Sequence, residues 1–390
     1  MQIDAEQAIE RVMKLMAIPG KSCQEGLISE AVVSELRSAG VPADDILFDD
    51  AHTRTNLPGE VGNLIVRIPG TKPGPTVLLS AHLDTVPICV GCQPIREGEY
   101  VRSADRSTGL GADNRGGVAA ILTAALELLK SDRLYSPLVL CFFVQEEIGL
   151  QGSRNLDPQV LGPIDLALNF DGGTVDKLVV GATGGERMRI NISGQASHAG
   201  IAPEEGVNAG TIASLAIASL YRDGWLGRVE QGGGMGTSNV GVISGGEATN
   251  VVMPELLVRA EARSHDSDMR TRIVEAFRAA FAAAAEEVKS SQGVVGSVQF
   301  SSQLDYDSFR LPDDSASVLA ATAAVSQLGR EPVSVMAGGG VDANWLYRHG
   351  IQAVTLGCGQ RDVHTTAERL NLQDYLDACR IAMLVAEHEF

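Results

Sequence analysis

In the first half of the chain, short apolar runs alternate with longer segments of helical periodicity. The segments NLIVRIPG, TVLLSAHLD, SPLVLCFFVQEE and IDLALNFDGG have the length and apolar content typical of buried strands. Between the second and third of these lies NRGGVAAILTAALELLK, whose small residues and basic C-terminal end predict a helix. Apolar strands that alternate with helices predict an α/β domain with a largely parallel sheet covered on both faces.

The pattern changes near Gly181. The segment ERMRINISGQ alternates between apolar and polar residues, as a strand with one exposed face does. A helix (NAGTIASLAIASLY), two strands (TSNVGVISGG and ELLVRAEARS), an alanine-rich helix (DMRTRIVEAFRAAFAAAAEEVK) and a last strand (GSVQFSSQ) follow it. This β-α-β-β-α-β order predicts a ferredoxin-like two-layer unit.

The α/β pattern resumes near residue 310. It continues with a helix around SASVLAATAAVSQLG, the strand QAVTLGCG and a final helix, LQDYLDACRIAMLVAEHE. We therefore expect residues 1–181 and 309–390 to form one α/β domain into which a smaller domain, residues 182–308, is inserted. A chain of 390 residues is also long for a single core. The glycine-rich GGGMG at 232–236 lacks the lysine and helix of a phosphate loop and predicts a flexible turn.

Composition narrows the class of protein. The formal net charge of −18 disfavours binding to nucleic acid or to anionic membranes. No stretch approaches the length needed to span a bilayer, and MQIDAEQAIERVMKLM lacks the basic and apolar regions of a signal peptide. Six scattered cysteines favour reduced thiols over a disulfide framework, so we expect a cytoplasmic enzyme or binding protein.

Charged and imidazole side chains follow the predicted strands at the points where each strand ends. These residues are His82, Asp84, Asp113, Glu146, Glu147, Asp171 and His364. In open α/β sheets, ligands bind outside the carboxyl ends of the strands, so parallel strands would gather these groups at one edge. Any one of them could be a cap or a solvated turn residue, but five acids and two histidines together favour a metal site.

A pair of metal ions explains the whole set. Imidazole and carboxylate are zinc ligands, and a carboxylate can bridge two ions about 3.5–4 Å apart. His82 and Asp84 are two residues apart on a strand and project to one face, which lets Asp84 accept the second ring N–H of His82. Of the adjacent Glu146 and Glu147, one can bind metal while its neighbour polarises a water molecule.

The motifs HLDTVP, GADNRGG, EEIGLQGS, NFDGG and DVHTTAE together resemble the M20 family of dinuclear zinc peptidases, especially its peptidase T-like branch of aminopeptidases. The resemblance runs along nearly the whole chain. It implies a zinc-peptidase-type sheet flanked by helices, an inserted lid or dimerisation domain, and a homodimer formed through that domain.

The resemblance also implies a role for each residue of the constellation. One metal ion would be held by His82, Asp113 and Asp171, and the other by Asp113, Glu147 and His364, with Asp113 bridging. Asp84 would orient His82, and Glu146 would be the general base.

In the inserted domain, the resemblance implies three residues that contact substrate. SGQASHAG carries His198 at the position of a substrate-contacting histidine, and ATNVVMPELLVRAEARS carries Asn250 and Arg263 at positions that grip the substrate. The strand before Arg263 reads AEAR where DVR is common in the family, so the transfer to Arg263 is less secure. GGGVDANW resembles a loop beside the family's active site, but no role is assigned to Asp342.

These observations predict a metal-dependent peptidase that acts on short peptides, as an aminopeptidase. In this and related families, aspartate at the position of Asp171 is associated with aminopeptidases, and glutamate with carboxypeptidases and deacylases. We expect two divalent ions per chain, zinc first and cobalt or manganese as alternatives. The alternative enzyme is an M20-type amidohydrolase that removes the acyl group from an N-acyl amino acid. A non-catalytic binding protein is less favoured because no ligand is missing, and a structural metal site because it would favour thiolates.

Overall fold

The computed structural model describes residues 3–387. These residues form two compact units. The first contains the residues up to Gly181 and those from Arg310 onward, and the second is Ala182–Phe309. The end of the predicted final helix, residues 388–389, lies outside the described residues. None of the helices within 3–387 is both long and apolar enough to cross a membrane.

Nine α-helices lie within the described residues. They are α1 (Ala5–Ala17), α2 (Gly26–Ser38), α3 (Ala112–Lys130), α4 (Gln151–Arg154), α5 (Ala209–Arg222), α6 (Ser267–Glu287), α7 (Ala316–Gln327), α8 (Asp342–Arg348) and α9 (Leu372–Glu387).

The strands of the same residues belong to three sheets. They are β1 (Ile46–Phe48), β2 (Leu64–Ile68), β3 (Val77–His82), β4 (Pro94–Glu97), β5 (Tyr100–Ser103), β6 (Leu138–Phe143), β7 (Leu166–Phe170), β8 (Lys177–Ala182), β9 (Gly184–Ser193), β10 (Gly227–Gln231), β11 (Gly234–Gly245), β12 (Glu255–Ser264), β13 (Ser297–Tyr306), β14 (Phe309–Arg310), β15 (Val333–Ala337), β16 (Ala353–Leu356), β17 (Gln360–Arg361) and β18 (Arg369–Asn371).

The largest sheet has the strand order β1-β2-β6-β3-β7-β16-β8-β14, with β15 beside β8. The pairs β3–β6, β3–β7 and β7–β16 are parallel, whereas β1–β2, β2–β6 and β8–β16 are antiparallel. Every residue of β3, β6, β7 and β16 is buried, because helices cover both faces of the centre. The predicted α/β fold with a mostly parallel sheet is confirmed. The central strands β6, β3, β7 and β16 are parallel, and the antiparallel pairs lie on either side of them.

Close packing of α3 against β7 brings the start of this helix to the edge of the sheet. A Cβ atom on Gly117 would lie 2.1 Å from the carbonyl oxygen of Phe170, so only glycine permits the approach. The side chain of Asn114 donates a hydrogen bond to the same carbonyl at 2.8 Å. Asp113, the residue before it, is thereby held beside the end of β7.

A four-stranded antiparallel sheet, β17-β18-β5-β4, was not predicted. Its strands have only two to four residues, which is too short for apolar periodicity to be recognised. Pairing of Gln360 with Leu370 and of Arg361 with Arg369 closes a hairpin loop over residues 362–368. This loop carries His364.

The second unit contains a five-stranded antiparallel sheet, β10-β11-β12-β9-β13. Alternate residues of β9 and β12 pack with α5 and α6 in its core, which accounts for their alternating sequence pattern. The unit has one strand more than the predicted β-α-β-β-α-β order. The additional strand is β10, which forms a hairpin with β11. Gly232 and Gly233, with φ of 55° and 80°, form its two-residue turn, so the predicted turn in GGGMG is a tight hairpin.

Candidate metal centre

The seven residues of the predicted constellation all lie in the first unit, at one edge of its large sheet and in the adjoining loops. His82 is the last residue of β3, and Asp171 directly follows β7. Glu146 and Glu147 follow β6 by three and four residues. Asp113 lies at the start of α3, and His364 in the loop between β17 and β18.

Asp113 lies between the two histidines. Its Oδ1 is 3.0 Å from Nε2 of His82, and its Oδ2 is 3.3 Å from Nε2 of His364. Two groups of potential ligands share this carboxylate: His82, Asp113 and Asp171 form one, and Asp113, Glu147 and His364 the other. Within each group the ligand atoms all lie within 4.8 Å of one another. One carboxylate oxygen of Asp113 therefore faces each group, which is the geometry of a bridging ligand.

Asp84 connects the first histidine to the paired glutamates. Its fully buried carboxylate accepts hydrogen bonds from Oγ of Ser22 at 2.6 Å and from the backbone N–H groups of Glu146 and Glu147 at 2.9 and 3.2 Å. Nδ1 of His82 lies 3.4 Å from the same carboxylate. Burial acts to raise the pKa of Asp84, but the interactions with His82 and Ser22 lower it overall, so this carboxylate stays ionised.

Glu146 belongs to neither ligand group. Its Oε2 lies 3.9 Å from Nε2 of His82, at the same edge of the sheet. Burial raises the pKa of Glu146 well above its ordinary value, the charge of His82 opposes this, and the charges of Asp171 and Asp342 add to it. A carboxyl group with a raised pKa can accept a proton and hold it near neutral pH, as a general base must.

The remaining groups make the site strongly acidic. Burial, followed by the charge of Asp113, raises the pKa of Asp171 to about 7. Hydrogen bonds to Asp113 and Glu147 raise the pKa of His364 to about 10. The shifts of Asp171 and His364 both favour the protonated form and so reduce the excess of negative charge. Five carboxylates and two imidazoles converge here, and this donor set suits divalent cations, which would neutralise that excess.

Two buried side chains that the sequence reasoning overlooked contact this centre. Nε2 of Gln360 lies 3.3 Å from Oδ1 of both Asp113 and Asp171. Glu368 accepts the backbone N–H of Asp113 at 3.0 Å. The only sequence signal for Glu368 was its place in DVHTTAE, four residues after His364, and no pattern indicated Gln360.

A third overlooked residue, Glu25, supports the loop before the general-base candidate. Its buried Oε1 accepts the backbone N–H of Cys23 at 2.9 Å and that of Gln145 at 3.0 Å. Gln145 has a φ of 54°, a left-handed conformation that is costly for a residue with a side chain. Glu25 therefore stabilises the turn that leads into Glu146.

The three predicted substrate-contacting residues lie in the second unit. His198 is exposed, and its Nδ1 accepts the backbone N–H of Gly200 at 3.1 Å, so the neutral ring carries its hydrogen on Nε2. Asn250 is also exposed, and its backbone carbonyl oxygen accepts the backbone N–H of Ala199. Arg263 forms an ion pair at 3.0 Å with Glu261, the acid of the divergent AEAR stretch, so its guanidinium already has a partner.

Comparison with known proteins identifies the family. Residues 78–388 match the model of peptidase family M20/M25/M40. The chain belongs to this family. It is therefore a peptide-bond hydrolase of a metal-dependent family, and the two ligand groups described above are its candidate metal-binding residues.

Related proteins match this chain over its full length or over part of it. The uncharacterized protein YqjE of Bacillus subtilis (strain 168) is 31% identical over 387 residues, which cover 99% of each chain. Carboxypeptidase G2 of Pseudomonas sp. (strain RS-16) is 32% identical over 237 residues, which cover 57% of this chain and 54% of that protein.

Two solved structures match this peptidase over almost its full length. A tripeptidase from Staphylococcus aureus subsp. aureus Mu50 has a TM-score of 0.89 and 28% identity, with 99% of both chains covered. Aminopeptidase PepT from Bacillus cereus ATCC 10987 has a TM-score of 0.85 and 30% identity, with 99% of this chain and 98% of that one covered. The predicted resemblance to the peptidase T-like branch of the M20 family is confirmed.

Proposed function

We propose that this peptidase is a dinuclear metallo-aminopeptidase that releases the N-terminal residue of short peptides. The observation that carries the proposal is the position of Asp113, whose two carboxylate oxygens face His82 and His364 separately. His82, Asp113 and Asp171 would hold one ion, and Asp113, Glu147 and His364 the other. Zinc suits this mixture of imidazole and carboxylate donors, and cobalt or manganese could replace it.

The protein's own residues would carry the proton and orient the groups. Divalent ions bound there would supply Lewis acidity, both to a water molecule and to the scissile carbonyl. Glu146 would take the proton of the attacking water and pass it to the leaving amine. Asp84 would keep the His82 ring oriented through Nδ1, and its bonds to the N–H groups of Glu146 and Glu147 would hold both glutamates in place.

Two observations support cleavage at the N-terminal end of the peptide. The solved structures with the two high TM-scores given above are a tripeptidase and an aminopeptidase. In addition, the first ligand group contains Asp171 rather than a glutamate. An aminopeptidase must recognise a free α-amine, so acetylation of that amine should remove most of the activity.

A hydrolysis screen tests this direction. We expect a good tripeptide to be cleaved at least about tenfold faster than its N-acetylated form, with the N-terminal residue released first; a loss of this size corresponds to about 1.4 kcal/mol of transition-state binding. The Glu146→Gln variant, which lacks the proposed general base, measures the background rate of hydrolysis. Equal rates on both forms, or faster cleavage of N-acetyl amino acids, would support the amidohydrolase alternative. Release of the C-terminal residue would identify a carboxypeptidase.

We also propose that the peptidase works in the cytoplasm as a homodimer joined through the second unit. The six free cysteines, five of them buried, suit a reducing compartment. In such a dimer, Nε2–H of His198 from one subunit would donate to the oxyanion that develops in the partner's site. The hydrogen bond from Gly200 to Nδ1 supports this role, because it leaves the donor on Nε2.

Mixing two inactive variants tests the shared site. Glu146→Gln and His198→Ala should each lose about 10²-fold or more in rate, the usual weight of a general base or an oxyanion donor. After subunit exchange, half of the dimers are mixed and each has one intact site, so activity should recover to about a quarter of wild type if the sites are independent. No recovery, with exchange verified by mass spectrometry, would exclude a shared site.

A further inference from the structure

Glu368 is a buried carboxylate for which the proposed mechanism has no use. It is 2% exposed, and it accepts three backbone hydrogen bonds from the segment that contains Asp113. Its Oε2 accepts the N–H groups of Leu110 and Gly111, both at 2.8 Å, and its Oε1 accepts the N–H of Asp113 at 3.0 Å. Converging backbone N–H groups of this kind form an anion-binding concavity, which here is filled by a side chain of the same protein.

Glu368 also lies on the segment that carries His364. Both residues belong to the hairpin loop over 362–368, whose ends are joined by β17 and β18. His364 and Asp362 have φ of 62° and 53°, so the loop follows a left-handed backbone path that is costly without supporting contacts. One carboxylate therefore joins the loop of His364 to the loop of Asp113, and the ring of His364 lies 3.3 Å from the carboxylate of Asp113.

We infer that Glu368 is a positioning residue that sets the distance between Asp113 and His364, and so the affinity of the second ligand group for its ion. The inference rests on the proposed dinuclear centre. Charge-assisted hydrogen bonds to backbone N–H groups are strong, and a buried N–H without an acceptor is costly. Loss of the carboxylate would release residues 110–113 and the loop of His364 together. The first ligand group should suffer less, because β3 and the end of β7 hold His82 and Asp171 independently.

The Glu368→Gln variant isolates this role with little change of shape. Glutamine offers one acceptor oxygen in place of two, so either the N–H of Asp113 or the pair from Leu110 and Gly111 would face an NH₂ group. We expect the second Co²⁺ ion to bind about 10–100-fold more weakly, the usual cost of losing a residue that orients ligands, with a smaller change for the first ion. Titration of the metal-free protein with Co²⁺, followed by calorimetry and by the visible absorption of bound Co²⁺, measures both affinities.

Glu35→Gln is the matched control. Glu35 pairs with the buried Arg11 at 2.8 Å and with Lys14 at 3.1 Å, on helices that carry none of the ligands. This substitution should lower the melting temperature of the protein while leaving both Co²⁺ affinities unchanged. Thermal unfolding of all variants therefore separates a general loss of stability from a loss of ligand positioning.

Gly109→Ala provides a second route if Glu368→Gln does not fold. A Cβ atom there would lie 2.9 Å from Sγ of Cys89, 3.0 Å from Oε2 of Glu368 and 3.1 Å from the backbone carbonyl oxygen of Thr365, so it would crowd the contact between the carboxylate and residues 110–113 without removing a charge. The second Co²⁺ ion should again bind more weakly. If the wild type binds two ions and the folded variants bind the second ion with unchanged affinity, the inference about Glu368 is overturned. A wild type that binds fewer than two ions would instead contradict the proposed function.

Discussion

The two ligand groups of the candidate centre are built in different ways. We call His82 and Asp171 the strand-borne half, because they stand at the ends of β3 and β7, and Glu147 and His364 the loop-borne half. The side chain of His82 is 1% exposed, whereas that of His364 is 50% exposed. In the strand-borne half, sheet register alone holds the backbones in place. In the loop-borne half, hydrogen bonds to the buried carboxylates of Asp84 and Glu368 hold the backbones in place.

This difference indicates where the centre is rigid and where it depends on its neighbours. Parallel pairing of β3 with β7 places the two strand ends side by side, and the pairing is part of the core. His364 has a left-handed φ and lies in a hairpin loop with only two residue pairs at its base. A loop of this kind opens more readily than a central strand. We therefore expect the strand-borne half to bind its ion first and more tightly.

Loss of Asp113 should have the largest effect, because this residue is shared by the two ligand groups. Asp113→Ala removes the carboxylate that faces both histidines, so both metal affinities should fall and hydrolysis should become undetectable. Metal content by atomic emission, together with tripeptide hydrolysis, measures this. A fully active Asp113→Ala variant would contradict the dinuclear centre, regardless of which half binds its ion more tightly.

The paired glutamates should separate proton transfer from metal binding. Glu146→Gln should keep both ions and lower kcat by about 10²–10⁴-fold, because only the base is lost. Glu147→Gln should instead lose the ion of the loop-borne half and retain the other. Metal analysis of the two purified variants decides between these roles, and the reverse pattern would mean that the two assignments have to be exchanged.

The two halves should also titrate in different pH windows when the protein is free of metal. The pKa of Asp171 rises from 3.8 to about 7, and that of His364 from 6.5 to about 10. Both groups bind protons more tightly in the folded state, so both contributions to stability are greatest at low pH. The contribution of Asp171 should be lost as pH rises from about 4 to 7, and that of His364 from about 6.5 to 10.

Melting temperatures across pH 4–10 in a chelator test this separation. Asp171→Asn should reduce the decline below pH 7, and His364→Gln the decline above it. Each of these two variants serves as the control for the other, because each should change the decline in only one pH range. A single decline that both substitutions reduce equally would show that the halves titrate as one unit.

Ser22→Ala should have the smallest effect. The hydroxyl donates at 2.6 Å to Asp84, which keeps the N–H groups of Glu146 and Glu147 and the ring of His82 as partners. We expect kcat/KM to fall by about 3–10-fold, since one hydrogen bond to a charged group is lost and three interactions remain. Steady-state kinetics measure this, and a loss as large as that of Glu146→Gln would show that Asp84 depends mainly on Ser22.

The strand-borne half was the easier part of the centre to predict. His82 and Asp171 directly follow apolar runs, and runs of this kind are recognisable wherever both faces of a strand are buried. The short strands β17 and β18, the hairpin strand β10 and the helix α8 have no such signal. Gln360 and Glu368 were not predicted because their roles arise from contacts with loops that are distant in sequence.

The amino-acid sequence by itself determined the alternation of strands and helices, and hence the α/β class and the edge where ligands bind. It also determined which chemical groups would be available there, and its ordered motifs pointed to the M20 family. Only the tertiary structure decided which oxygen of Asp113 faces which histidine, and which buried carboxylates hold the loops. The physical reason is range. Periodicity and side-chain chemistry are local properties of the chain, whereas a bridging geometry and an anion-binding concavity require segments such as 110–113 and 364–368 to meet in space.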